Sequence, residues 1–194
     1  MIPGRMIRTL RWSMSLLIIA GLAPGNSAWA EEANASDSPL SEAFPYSLKD
    51  ISANLVMIKC KSASGESDAN GFIARMDGKT YIFTNQHVLL GAQSIEGFIT
   101  MSGEKLRPRG VELSATRDIA RLPIDDHEEA LEIGRQVDMG IPMAIFGKSN
   151  AAAESGELYG KVSGLGAEQL EVTAEFQSGN RGSPVLNRDR KVIG

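Results

Sequence analysis

Gly71-Phe72-Ile73-Ala74-Arg75-Met76-Asp77-Gly78-Lys79-Thr80-Tyr81-Ile82-Phe83-Thr84 is the stretch from which the fold is read. Two runs rich in β-branched and aromatic residues flank Asp77-Gly78, a dipeptide whose two positions accept the positive φ angles of a tight hairpin turn. Outward from this hairpin the chain repeats the same pattern. Candidate strands fall at residues 54–61, 94–101, 106–113, 119–122, 142–146, 157–165 and 169–176, with turn residues between them and no long amphipathic helical pattern. The chain carries 20 glycines, and its valines, isoleucines and threonines fall in short clusters between them, which predicts an all-β protein built as a sandwich or a barrel.

Among the 194 residues, 20 are Lys or Arg and 24 are Asp or Glu, a formal net charge of −4 that argues against a nucleic-acid binder. Residues 1–30 read as a signal peptide. Arg5, Arg8 and Arg11 precede an apolar stretch from residue 12 to 23, followed by Ala28-Trp29-Ala30. The apolar stretch is short for a membrane span, and a small-x-small ending suits the narrow pocket of a signal peptidase. Export to the periplasm or medium, with cleavage after Ala30 and no membrane attachment afterwards, is the expectation. The mature chain then carries 17 basic and 24 acidic residues, a net of −7. Cys60 is the single cysteine, so no intramolecular disulfide can form. Its place in the alternating run Leu55-Val56-Met57-Ile58-Lys59-Cys60 marks it as a small buried side chain.

Residues 31–46 are rich in Glu, Ala, Asn, Ser, Asp and Pro and read as a flexible leader. A first β unit is expected over 47–124, an acidic connection over 125–130 and a second β unit over 131–194. The connection holds Asp125-Asp126-His127-Glu128-Glu129, whose spacing matches no metal-ligand template and reads as a solvated linker. No metal or cofactor is expected.

Three further segments carry chemistry. Thr84-Asn85-Gln86-His87-Val88 runs a strand into a histidine; Asp118-Ile119-Ala120-Arg121-Leu122 places an acid at the entry to a strand; Gly179-Asn180-Arg181-Gly182-Ser183-Pro184 is a glycine-rich loop opening into another. In this order they resemble the trypsin-like, or chymotrypsin-fold, serine peptidases, above all the compact bacterial branch of HtrA-like proteases and glutamyl endopeptidases. The resemblance spans about residues 55–194. It implies two antiparallel β-barrels with the cleft between them, His87 as general base and Asp118 as its orienter. It also implies an oxyanion hole formed by the backbone N–H groups of Gly179 and Arg181. The implied activity is cofactor-free hydrolysis of peptide bonds in a polypeptide substrate.

The departure sits at the centre of the loop. Aligning Gly179, Gly182 and Pro184 with the family motif leaves Arg181 where the nucleophilic serine belongs, and a guanidinium has no lone pair with which to attack a carbonyl. Ser178 and Ser183 are neighbours that would serve only after a shift of register that misplaces the oxyanion donors. Glu175, six residues before the nucleophile position, would attract a basic substrate residue if it lined the pocket and otherwise faces solvent. The family's next strand is not present after Lys191-Val192-Ile193-Gly194, so the resemblance implies a second barrel incomplete as written. Two functions are thus in view, a catalytically impaired secreted endopeptidase and a non-catalytic module that binds a peptide or protein. The signal reading has a direct check: intact-mass analysis of secreted protein should show a chain beginning at Glu31, and a mature chain still carrying Met1 contradicts it.

Overall fold

The computed structural model describes residues 40–148, 155–167, 169–175 and 178–194. The signal segment and most of the leader lie outside the described residues. Seven strands come from the first half of the chain: β1 (Leu55–Ser62), β2 (Gly65–Met76), β3 (Lys79–Thr84), β4 (Ala92–Ile99), β5 (Lys105–Leu106), β6 (Glu112–Leu113) and β7 (Ala120–Pro123). The second half adds β8 (Leu131–Ile133), β9 (Pro142–Lys148), β10 (Ser155–Leu165), β11 (Leu170–Val172), β12 (Val185–Leu186) and β13 (Lys191–Val192). Among the described residues helical structure is confined to single turns such as α1 (Leu48–Ile51), and no helix there is long and apolar enough to cross a membrane.

The hairpin forms as its sequence requires. Asp77 and Gly78 take φ angles of 51° and 72°, and β2 and β3 pair antiparallel from Phe72↔Phe83 to Met76↔Lys79. The strand expected over 106–113 instead breaks into β5 and β6. Pro108 has no N–H to give a ladder, and Arg109 donates its own N–H to the Pro123 carbonyl at 2.8 Å. A short strand not anticipated in the sequence, β8, pairs parallel with both β2 and β13 and links the two halves into one continuous hydrogen-bonded path.

Alternation along the strands creates three cores. Val56, Ile58, Ile73, Ile82 and Leu122 fill the first unit. Met143, Ile145, Val162, Leu170 and Val185 fill the second. Between them, Leu55, Phe72, Ala74, Tyr81, Phe83, Ala144, Phe146 and Leu186 form a shared core. Because successive side chains of a strand point to opposite faces, Ile82 enters one core while its neighbours Tyr81 and Phe83 enter another. Cys60 is buried in the first core as expected, and burial pushes its thiol up from the ordinary value, with Asp68 adding to the rise.

Two expectations need correction. The segment read as leader does not stay flexible to residue 46. Phe44 and Tyr46 are buried in the shared core, and Phe44 packs edge-on against Tyr46. Backbone and side-chain bonds then fasten this strap to the second unit: Tyr46 Oη donates to the Asn187 carbonyl at 2.5 Å, Leu48 N–H to the Glu157 carboxylate at 2.9 Å and Arg188 Nε to the Ala43 carbonyl at 2.7 Å. The acidic connection is likewise not a free linker. Its carboxylates are exposed, but Asp126 Oδ1 accepts from Thr80 Oγ1 at 2.8 Å and from Arg75 at 3.1 Å. The Thr80 hydroxyl first, and Arg75 after it, hold the Asp126 carboxyl below the usual carboxylate range. Asn54 Nδ2 also donates to the Glu129 carbonyl at 2.5 Å.

The strap makes stability sensitive to alkali. Burial pushes the phenols of Tyr46 and Tyr159 above the ordinary tyrosine range. A raised folded-state value means that the contribution is intact below the unfolded value of about 10 and declines as pH rises beyond it. Urea unfolding at a series of pH values should therefore show a loss of stability above about pH 10 that is shallower in Tyr46→Phe. At neutral pH that variant should be less stable by about 1 kcal/mol, because the Asn187 carbonyl loses its donor.

Candidate active site

Register explains how two residues 31 positions apart meet. β3 and β7 pair antiparallel, ending at Thr84↔Ala120. Continuing three residues past Thr84 reaches His87, in a 3₁₀ turn over His87–Leu89, and stepping back two residues from Ala120 reaches Asp118. Both therefore emerge at the same end of the same strand pair. His87 Nδ1 lies 2.6 Å from Asp118 Oδ2, and the His87 backbone N–H donates to Oδ1 at 2.8 Å. A carboxylate only accepts, so this bond places a proton on Nδ1 and leaves Nε2 as the ring nitrogen turned away from Asp118. The two side chains are 43% and 34% exposed, open enough for a ligand to reach them.

Asn85 is a site residue to which the sequence reading assigned no role. Its Nδ2 donates to the Asp118 carbonyl at 3.1 Å and to Oδ2 at 3.2 Å. The signal was inside the quoted histidine segment, but nothing in a linear sequence says which amide faces the acid. With the Gln86 N–H donating to the Asp118 carbonyl at 3.3 Å, the backbone of the acid is tied to the histidine turn as firmly as its carboxylate.

The glycine loop is pinned against the same region. A 3₁₀ turn covers Ser178–Asn180, the Asn70 side-chain amide donates to the Gly179 carbonyl, and Thr84 Oγ1 donates to the Asn70 carbonyl at 2.7 Å. Asn70 of β2 thus joins the loop to the strand that leads into His87. Gly182 has φ +82°, and a Cβ there would overlap the Asn70 carbonyl oxygen and come within 3.0 Å of Thr84 Oγ1. Only glycine satisfies both demands.

Arg181 is exposed on this loop. Ser183 is not presented in the same way: its Oγ is buried without a hydrogen-bond partner and rests where a Cβ on Gly147 would have to sit. The side chain of Ser178 lies outside the described residues. Glu175 is exposed and is bonded to none of the other candidate residues. No cluster of three or more potential metal ligands occurs among the described residues.

Comparison with known proteins adds an independent line. The family model for the trypsin-like peptidase domain matches residues 69–194. The serine protease Do-like HtrA of Bacillus subtilis is 28% identical over 143 residues, covering 61% of this chain and 30% of the relative. The chain thus spans less than a third of that relative's length. Among solved structures, the Rv3671c protease from M. tuberculosis in its active form superposes with a TM-score of 0.63 at 15% identity, covering 90% of this chain and 82% of that one. The serine endoprotease from Yersinia pestis gives 0.63 at 22% identity, covering 81% and 56%. The all-β architecture is that of the chymotrypsin-like double β-barrel.

The packing of the loop predicts a specific intolerance. Gly182→Ala should lower the urea-unfolding free energy by about 2 kcal/mol or more, from overlap together with a strained backbone. Ala substitution at exposed Arg181 should leave it within about 0.5 kcal/mol.

Proposed function

Because this chain belongs to the trypsin-like peptidase domain family, we propose that its cleft receives polypeptides and that, as an exported protein, it hydrolyses them negligibly. The observation that supports this reading is the coexistence of an assembled His87–Asp118 pair with an arginine where the family motif has its serine. In a working triad the histidine takes the serine proton and the aspartate stabilises the imidazolium that forms. Here His87 has a partner that orients it and nothing to deprotonate. Arg181 is no substitute, since a guanidinium has no lone pair with which to attack a carbonyl.

A peptidase working through a shifted register is the competing reading. The burial of Ser183 Oγ weighs against it, because attack tolerates little misplacement of the nucleophile. The retention of the histidine–acid pair fits a cleft that still binds. Loss of the serine from a triad lowers turnover by about 10⁶-fold, so the unmodified chain should fail to react with a fluorophosphonate serine-hydrolase probe. Arg181→Ser should gain labelling, and Arg181→Ser with His87→Ala should lose it again. Proteolysis by the unmodified chain that disappears in Ser183→Ala or Ser178→Ala would overturn the reading.

A further inference from the structure

His87 and His127 are the two histidines of the chain, and the fold treats them in opposite ways. His127 is half-buried, with its Nε2 enclosed and without a hydrogen-bond partner. The His87 side chain is 43% exposed, with Nδ1 held 2.6 Å from Asp118 Oδ2. Among the described residues no partner reaches its Nε2. Asp118 is in turn fixed by the His87 N–H and by Asn85 Nδ2. The ring is thus oriented before any reactant arrives, with its proton on Nδ1 and its lone pair on the nitrogen turned away from the acid.

An imidazole with that lone pair is a nucleophile as well as a base, and its chemistry sets the substrate. In a triad the histidine gives its proton to the departing amine. A histidine that has itself attacked holds the acyl group on Nε2 and has no proton to give there. The amine of a peptide bond would have to leave as an anion, so the imidazole is expelled instead and the peptide is returned unchanged. A phenolate leaves unaided. The neighbourhood suits an aryl ring as well. Leu90 is 67% exposed. It follows the 3₁₀ turn over His87–Leu89, and its N–H donates to the His87 carbonyl at 3.3 Å. Residues i and i+3 of such a turn eclipse, which sets an apolar surface on the histidine's side of it.

We propose that His87 is the nucleophile of an aryl esterase, an activity apart from peptide hydrolysis. Nε2 attacks the ester carbonyl carbon; a C–N bond forms, the C–O bond to the aryl oxygen breaks, and the phenolate departs with that electron pair. The positive charge of the acyl-imidazolium faces Asp118 through Nδ1–H. A water oxygen then adds to the acyl carbon, and the C–N bond breaks to return the lone pair to Nε2. The water's two protons pass to solvent and a carboxylate is left. The proposal uses the reading above only in that no serine competes with His87.

The ester and amide of one ring, para-nitrophenyl acetate and para-nitroacetanilide, test it on the whole protein. The ester should be hydrolysed over many turnovers, about tenfold faster than by an equal concentration of N-acetylhistidine amide, the gain that a charge-assisted bond to the ring supplies. The anilide should stay intact. His87→Ala should remove the turnover, and His127→Ala should leave it unchanged. Asp118→Asn should lower it about tenfold with an unchanged circular dichroism spectrum, because an amide donating to Nδ1 moves the ring proton to Nε2 and removes the attacking lone pair. Leu90→Ala should raise KM about threefold with kcat unchanged, the size of a small apolar contact. An ester rate no greater than that of the histidine amide, or one that survives His87→Ala, overturns the proposal and leaves the earlier reading untouched. Loss of the ester rate in Ser178→Ala or Ser183→Ala, or after fluorophosphonate treatment, overturns both.

Discussion

The structure depends on strands that are buried on both faces. In Tyr81-Ile82-Phe83 the middle residue enters the first barrel, and the outer two enter the core between the barrels. Met143-Ala144-Ile145-Phe146 divides in the same way between the second barrel and the shared core. A slip of one residue in either strand would exchange the two sets and put Phe83 or Phe146 where the small interior of a barrel has no room. Register is therefore specified twice over, once by each core. The candidate site inherits that precision, because His87 follows β3, while Asp118 precedes β7 and the glycine loop precedes β12, the strands that pair with β3 and β9.

The strap from Ala43 to Ile51 adds a second constraint. It is bonded to the second barrel at Asn187, Glu157 and the 188–190 turn and then enters β1 of the first. Its aromatic residues sit in the shared core with Phe146 and Tyr159. A single covalent segment thus touches both barrels at the layer where they meet, and the acidic connection is stapled by Thr80 and Arg75. Relative motion of the barrels would have to break buried aromatic contacts as well as hydrogen bonds.

The candidate site is fastened in two separate parts. The histidine–acid pair is held by four hydrogen bonds to Asp118 from His87 and Asn85. None of them involves the loop. The loop is held by Asn70 and by the close approach of Gly182. Each half is fastened by its own contacts, so the residue at position 181 does not enter the bonds that hold His87 against Asp118.

Local chemistry made much of this legible in the sequence. Asp77-Gly78 announced its hairpin because only a few residues tolerate positive φ. His87, Asp118 and the glycine loop stood out because each carries a residue type that the resemblance singles out, and the fold brings His87 and Asp118 into hydrogen-bond contact. The arginine at position 181 was equally plain, since identity is all that the observation requires. Tertiary structure decided the rest. Pro108 broke a run that alternation had read as one strand. Residues 40–46, polar enough on average to pass for a leader, were ordered by two aromatic rings whose partners lie about 100 residues away, beyond the reach of any window. β8 is three residues long and paired in parallel, so it carries no pattern of its own and exists only because two other strands bracket it. Asn70 and Asn85 were invisible for the same reason: an asparagine has no meaning for a site until folding determines which carbonyl or carboxylate its amide will meet.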